Sequence, residues 1–176
     1  NYQKEKFSFQ GFCLGGKTGL NAQDDVVFGF LDDVATESGL GDFNGNYINN
    51  LSHTNTRVNT QSHLLFKGIG GSGMNNENAE LLFEMLYLKF TNQPFDEKVL
   101  TNITGRYKQL LSSSEKSAEY EFLQYIKREM YGNVPAFQEL SVDKINKFVS
   151  LGNMQSLFKQ EFIDNSNQFT FSFCGD

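Results

Sequence analysis

The sequence predicts a single α+β domain spanning residues 1–176, two layers deep, with a mostly antiparallel sheet and helices packed on one of its faces. Three observations carry that expectation. Both ends of the chain alternate apolar and polar residues: Phe7 and Phe9 against Ser8 and Gln10, then Phe169, Phe171 and Phe173 against Thr170 and Ser172. Between them, apolar residues recur every three or four positions, the spacing of a helix with a buried stripe. The chain is 39% hydrophobic and 20% charged over 176 residues. That is enough for a core without metals or disulfides, and too apolar for disorder.

The elements follow in order. Lys6 to Phe12 reads as a half-buried strand, and Gly15, Gly16 and Gly19 turn the chain. Asn21 is the expected N-cap of a first helix, with Asp24 in its first turn. Val26, Val27, Phe30, Leu31 and Val34 are its apolar positions, and Gly39 is its stop. Asp42 is the expected cap of a shorter helix bearing Tyr47, Ile48 and Leu51. Two strands are expected at Thr56 to Thr60 and at Ser62 to Ile69. The run Gly68-Ile69-Gly70-Gly71-Ser72-Gly73 reads as turn and linker. It lacks the G-K-[ST] ending and the basic residue of a phosphate loop.

Asn78 to Phe90 is apolar nearly all round (Leu81, Leu82, Phe83, Met85, Leu86, Tyr87, Leu88), which predicts a helix buried against more than one neighbour. Pro94 ends it. Asp96 caps the next helix, whose stripe is Val99, Leu100, Ile103, Tyr107 and Leu110, and Ser112 to Lys116 is a polar link. A further helix presents Tyr120, Leu123, Ile126 and Met130 and stops at Gly132. Ser141 and Ser150 start two more, the first with Ile145 and Phe148, the second with Met154, Leu157, Phe158 and Phe162. Gln168 to Phe173 is the last strand.

Composition excludes several function classes. The formal net charge is −6. The richest basic run, Lys127-Arg128, lies between Ile126 and Glu129, so no basic stripe exists to follow a nucleic-acid backbone. No apolar run approaches the ~20 residues that cross a bilayer. No signal-peptide pattern occurs. The chain runs from Asn1 straight into a strand and stops at Asp176 just after one, and it is expected to be an excised piece of a longer protein.

Candidate chemistry is sparse. His53 and His63 are the only histidines, and no H-x-x-E-H or inverted motif occurs. A catalytic zinc needs three protein ligands and an open position for water. His53 is expected at a helix end among free carbonyls, and His63 as an exposed residue starting a strand. A site built from His53, His63 and Asp42 lacks the spacing of metal ligands. Asp24, Asp25, Asp32, Asp33 and Glu37 line the first helix and are expected to face water. They do not face one another across a cleft as a glycosidase pair must. Cys13 and Cys174 read as two small buried strand residues, with a bridge between them as the alternative. Cys13 has no local signature of a nucleophile. Neither catalytic nor metal residues are assigned, and binding residues stay open.

Four local words occur in sequence: VATESGLGDF at Val34 to Phe43, LLFEMLYLKFTNQPFD at Leu81 to Asp96, REMYGN at Arg128 to Asn133, and FTFSFCGD at Phe169 to Asp176. In that order and spacing the chain resembles a domain of the insulinase/pitrilysin family of zinc peptidases, nearest the PqqL-like branch. The resemblance implies homologous α+β domains paired around a closed chamber. Zinc would be held by H-x-x-E-H on the helix after the opening strands of another domain, where its bound water attacks the peptide carbonyl. The corresponding helix here, Asn21 to Ser38, has no histidine, so no family ligand carries over. The implied role is a non-catalytic, substrate-enclosing domain, partnered by the catalytic domain of the same parent chain and by peptide substrate. A periplasmic or exported location follows from the branch. Relatives begin with a strand upstream of Asn1, so Lys6 to Phe12 is expected to present an open sheet edge. Two alternatives remain: a stand-alone interaction or assembly module on the same fold, and peptide capture by strand addition at a sheet edge.

Overall fold

Four strands form one antiparallel sheet in the order β2-β3-β1-β4: β1 (Lys6–Leu14), β2 (Arg57–Ser62), β3 (Phe66–Met74) and β4 (Thr170–Cys174). The structure is a computed structural model that describes residues 6–51, 56–74, 77–114 and 117–175. Its helices are α1 (Ala22–Glu37), α2 (Gly45–Leu51), α3 (Glu77–Thr91), α4 (Glu97–Ser114), α5 (Ala118–Tyr131), α6 (Val142–Phe148) and α7 (Leu151–Phe158), the last continued by a π-helical turn at Lys159–Ile163. The expected two-layer α+β architecture is what the chain adopts. Phe9, Cys13, Val58 and Ile69 point from the sheet into a core shared with the helices.

The expected open edge at β1 is wrong. β1 is an interior strand, with Phe9 in register with Gly71 of β3 and with Phe173 of β4. β4 returns from the far end of the chain to cover the edge, which leaves β2 and β4 at the margins.

The glycine run is also not a linker. Gly68, Gly70, Gly71 and Gly73 all lie within β3. Glycine is needed because neighbouring strands lay long side chains over the backbone. A Cβ on Gly71 would run into the Phe9 ring, and one on Gly70 would sit 2.6 Å from Gln10 Oε1. Ser62 ends β2 instead of opening β3, and His63 lies exposed in the hairpin turn, its ring tilted against Phe66. His53 lies outside the described residues.

The expected apolar positions of α1 are buried, and the departures from expectation lie in two of its carboxylates and in the breadth of the buried face of α3. α1 is capped by Asn21, whose Oδ1 accepts from Gln23 N and Asp24 N at 3.0 and 2.9 Å. It then buries Val26, Val27, Phe28, Phe30, Leu31, Val34 and Ala35. It lies between β2 on one side and α4, α6 and α7 on the others, so its carboxylates do not all face water. Asp25 is buried, 3.8 Å from Lys17 Nζ. Asp32 accepts from Ser62 N and Ser62 Oγ at 2.6 and 2.9 Å. Burial pushes both carboxyls above the usual range. α3, expected to be enclosed, buries only one stripe, Leu82, Met85 and Lys89, and leaves Phe83 and Tyr87 exposed. Its buried stripe packs on β2 and β3, and its other side faces outward.

Smaller corrections have local causes. Asn44, not Asp42, caps α2, its Oδ1 accepting from Tyr47 N at 2.9 Å. α4 continues to Ser114, through the expected link at Ser112, with the Ser112 and Ser113 hydroxyls donating to the Lys108 and Leu110 carbonyls one turn back instead of breaking the helix. The expected core face of α5 fails: no residue of this helix is buried, and Leu123 and Met130 are exposed. Cys174 is exposed although Cys13 is buried, and both are free thiols. Cys174 pairs with Ser8, five residues along β1 from Cys13. That is roughly 16 Å, beyond the reach of a disulfide.

Candidate functional site: the open face of the sheet

Alternation along four strands decides what the helix-free face carries. Ser8, Gln10, Phe12 and Leu14 of β1 share it with Arg57, Asn59 and Gln61 of β2, Gly68, Gly70 and Ser72 of β3, and Thr170, Ser172 and Cys174 of β4. The two amides at its centre bond reciprocally across β3: Gln10 Nε2 donates to Gln61 Oε1 at 3.0 Å, and Gln61 Nε2 donates to Gln10 Oε1 at 3.4 Å. The glycines beneath make room for that pair. The result is a shallow groove of about 410 Å³ lined by Ser8, Gln10, Arg57, Asn59, Gln61, Ser72, Ser172 and Cys174.

This surface can donate and accept hydrogen bonds but holds no acid–base pair. Among the described residues its charges are Arg57 and Lys6, both exposed, and no carboxylate stands on it. Against a chain of net charge −6, that makes it a locally cationic floor. The residues weighed from sequence are not assembled anywhere. Asp42 is exposed beside α2, His63 is in the β2–β3 turn, and Cys13 points to the helical side, its Sγ donating to Leu14 O at 3.3 Å. Among the described residues no three His, Cys, Asp or Glu side chains lie close enough to hold a metal ion.

Sequence reading overlooked a second polar centre inside the helical layer. Lys89 shares the inward stripe of α3 with Leu82 and Met85 and is only 2% exposed. Its Nζ donates to Gln93 Oε1 at 2.7 Å and to Ala35 O at 3.4 Å, near the end of α1, where carbonyls lack intrahelical partners. Gln93 Nε2 donates to Ala35 O, Gly39 O and Pro94 O, so the pair ties α3 to the end of α1. The signal was a lysine at helical spacing from Leu82 and Met85, on the face that must be buried.

Burial holds the Lys89 ammonium down to about 8, from 10.5. Between those values the folded chain binds fewer protons than the unfolded one, so stability rises with pH through that window. Urea unfolding from pH 7 to 9.5 is expected to show the native chain gaining about 2 kcal/mol relative to Lys89→Met. A difference between the two that does not change with pH would refute this account of Lys89.

Solved structures share this architecture. PqqL, a periplasmic protease of Escherichia coli, superposes with a TM-score of 0.85 at 15% identity, over 99% of this chain and 19% of its own. The peptidase M16 inactive domain from Pseudomonas fluorescens gives 0.77 at 11% identity, over 100% of this chain and 42% of its own. This chain has the fold of an M16 peptidase domain. The ferredoxin protease FusC, solved in complex with Arabidopsis ferredoxin, shares that fold with a TM-score of 0.78 at 13% identity, over 98% of this chain and 18% of its own. The chain therefore spans about a fifth of PqqL and of FusC. No family model and no curated protein matches the sequence. Among the described residues no helix of this M16-fold chain is long and apolar enough to cross a membrane.

Proposed function

We propose that this chain is a non-catalytic domain of a zinc-dependent metalloendopeptidase, walling in a substrate that a separate domain cleaves. The observation that carries the reading is helix α1. It occupies the centre of an M16 fold and carries no histidine from Ala22 to Glu37. The donor set a zinc peptidase needs does not fit this chain, so no hydrolytic step is routed through its residues. The open face has what a chamber wall needs: amides and hydroxyls that can bond a peptide backbone in any register, and no group that attacks it. FusC is bound to a protein, ferredoxin, which supports peptide or protein as the enclosed substrate class. PqqL's periplasmic setting supports an exported location.

The test is direct. The purified chain, incubated with zinc and dialysed, is expected to retain far less than one zinc per molecule and to leave a mixture of unfolded peptides uncut. One tightly held zinc per chain, or any hydrolysis abolished by a chelator, would overturn the proposal.

The apolar surface of α5 supports a docking role toward the rest of the parent chain. Phe122, Leu123, Tyr125, Met130 and Tyr131 are all exposed on it, and surface of that kind is normally covered. The substitutions Leu123→Gln and Met130→Gln are expected to change stability by less than about 0.5 kcal/mol each, because both side chains are exposed. They should lower self-association of the isolated chain, measured by sedimentation. A large loss of stability would instead place α5 in the core.

A further inference from the structure

Lys89 and Thr56 both have hydrogen-bonding capacity left over, and both line one cavity of about 250 Å³ between the end of α1, α2, β2 and α3. Gln93 Oε1 and Ala35 O take two of the three Lys89 ammonium protons, which leaves one for the cavity. Among the described residues Lys89 makes no ion pair, unlike Lys67, which has Glu161. Thr56 is 1% exposed, and its Oγ1 makes no hydrogen bond. A buried ammonium and a buried hydroxyl left short of acceptors are each costly.

The chemistry of these groups selects the ligand. Both are donors, and one carries a positive charge, so a cation is repelled and a neutral amide leaves the charge unmatched. A carboxylate supplies the negative charge and several acceptor sites on one small planar group. Leu40, Ile48, Val58 and Met85 give the cavity an apolar side, which suits a short alkyl stem, while Thr36, Asn49, Arg57 and Asn59 complete its lining. We propose that this cavity is a carboxylate-binding site, with Lys89 Nζ and Thr56 Oγ1 as its donors and Leu40, Ile48 and Met85 as the seat for the stem. The carboxylate can come from a free short-chain acid or from a glutamate side chain. The site does not depend on the chamber-wall reading.

The 176-residue chain, isotopically labelled, is titrated with sodium propionate, with N-acetylglutamate amide, and with sodium chloride at matched ionic strength. Saturable shifts are expected at the Thr56 and Val58 amides and the Met85 methyl, and chloride should produce none. Affinity should fall at least about tenfold in Lys89→Met and in Thr56→Val. Binding of propionate alone identifies a free acid as the source, and binding of the glutamate amide identifies a side chain. No saturable shift with either ligand, or equal affinity in native chain and variants, overturns the site. Should Lys89→Met fail to fold, Thr56→Val decides alone, since its hydroxyl holds nothing in the structure.

Discussion

Replacing Glu161 with Ala is expected to destabilise the chain by about 3–5 kcal/mol, while removing both Glu161 and Lys67 in favour of Met should recover most of that loss. Lys67 points from β3 to the helical side and is 3% exposed. Glu161, on the π-helical turn, is 7% exposed, and the two form a buried ion pair. Gln160 Nε2 adds a second donor to Glu161 at 2.9 Å. Removing one partner strands the other charge in a low-dielectric interior, and desolvation of that charge is the largest part of the effect. A pair of apolar residues leaves no charge to strand. Urea unfolding of the two singles and the double measures the coupling. A single substitution costing under about 1 kcal/mol would mean that the remaining charge reaches water.

Gly39→Ala is the other large effect, expected at about 3–5 kcal/mol. Gly39 has φ +100°, a region that L side chains rarely adopt, and a Cβ there would meet Phe43 O and lie 2.7 Å from the Asn44 carbonyl carbon. That turn closes tightly, with Leu40 N donating to Phe43 O at 2.9 Å and Phe43 N donating to Leu40 O at 3.0 Å, so the backbone cannot yield. Gly132 is the control. It also has positive φ, at +58°, but nothing lies within 4 Å of its Cβ position. Gly132→Ala should therefore carry the conformational cost alone, about 1–3 kcal/mol. Equal losses at the two sites would show that conformation alone, without the clash, accounts for Gly39.

Legibility differed by element for identifiable reasons. Caps were readable because they are local. Asn21, Asp96, Ser117, Ser141 and Ser150 each accept hydrogen bonds from their own first turn, and four of those five starts were expected from sequence alone. The inward stripe of α7 was readable because one side of that helix is buried, whereas in the last strand only Phe169 is buried and Phe171 half-buried, and Phe173, expected on the inward side with them, is 56% exposed. β3 was not, because its glycines are explained only by Phe9, Gln10 and Gln61 lying across them from other strands. α3 and α5 were misjudged for a related reason. An apolar helix surface states that something should cover it, not whether this domain supplies the cover.

The candidate site follows the same division. The polar alternation of Arg57, Asn59 and Gln61 is written in the chain, and so is the absence of a histidine pair, since both are properties of spacing. That Gln10 meets Gln61 across fifty-one residues, and that Lys89 and Thr56 come to line one cavity, depend on which strands and helices become neighbours. The sequence alone determined the α+β class, most helix starts and the lack of zinc-ligand spacing, because those rest on local periodicity and hydrogen bonding. Only the tertiary structure decided that β4 closes the edge beside β1 and that α1 sits innermost. It also decided which charges are buried, because burial is set by contacts between segments far apart in the chain.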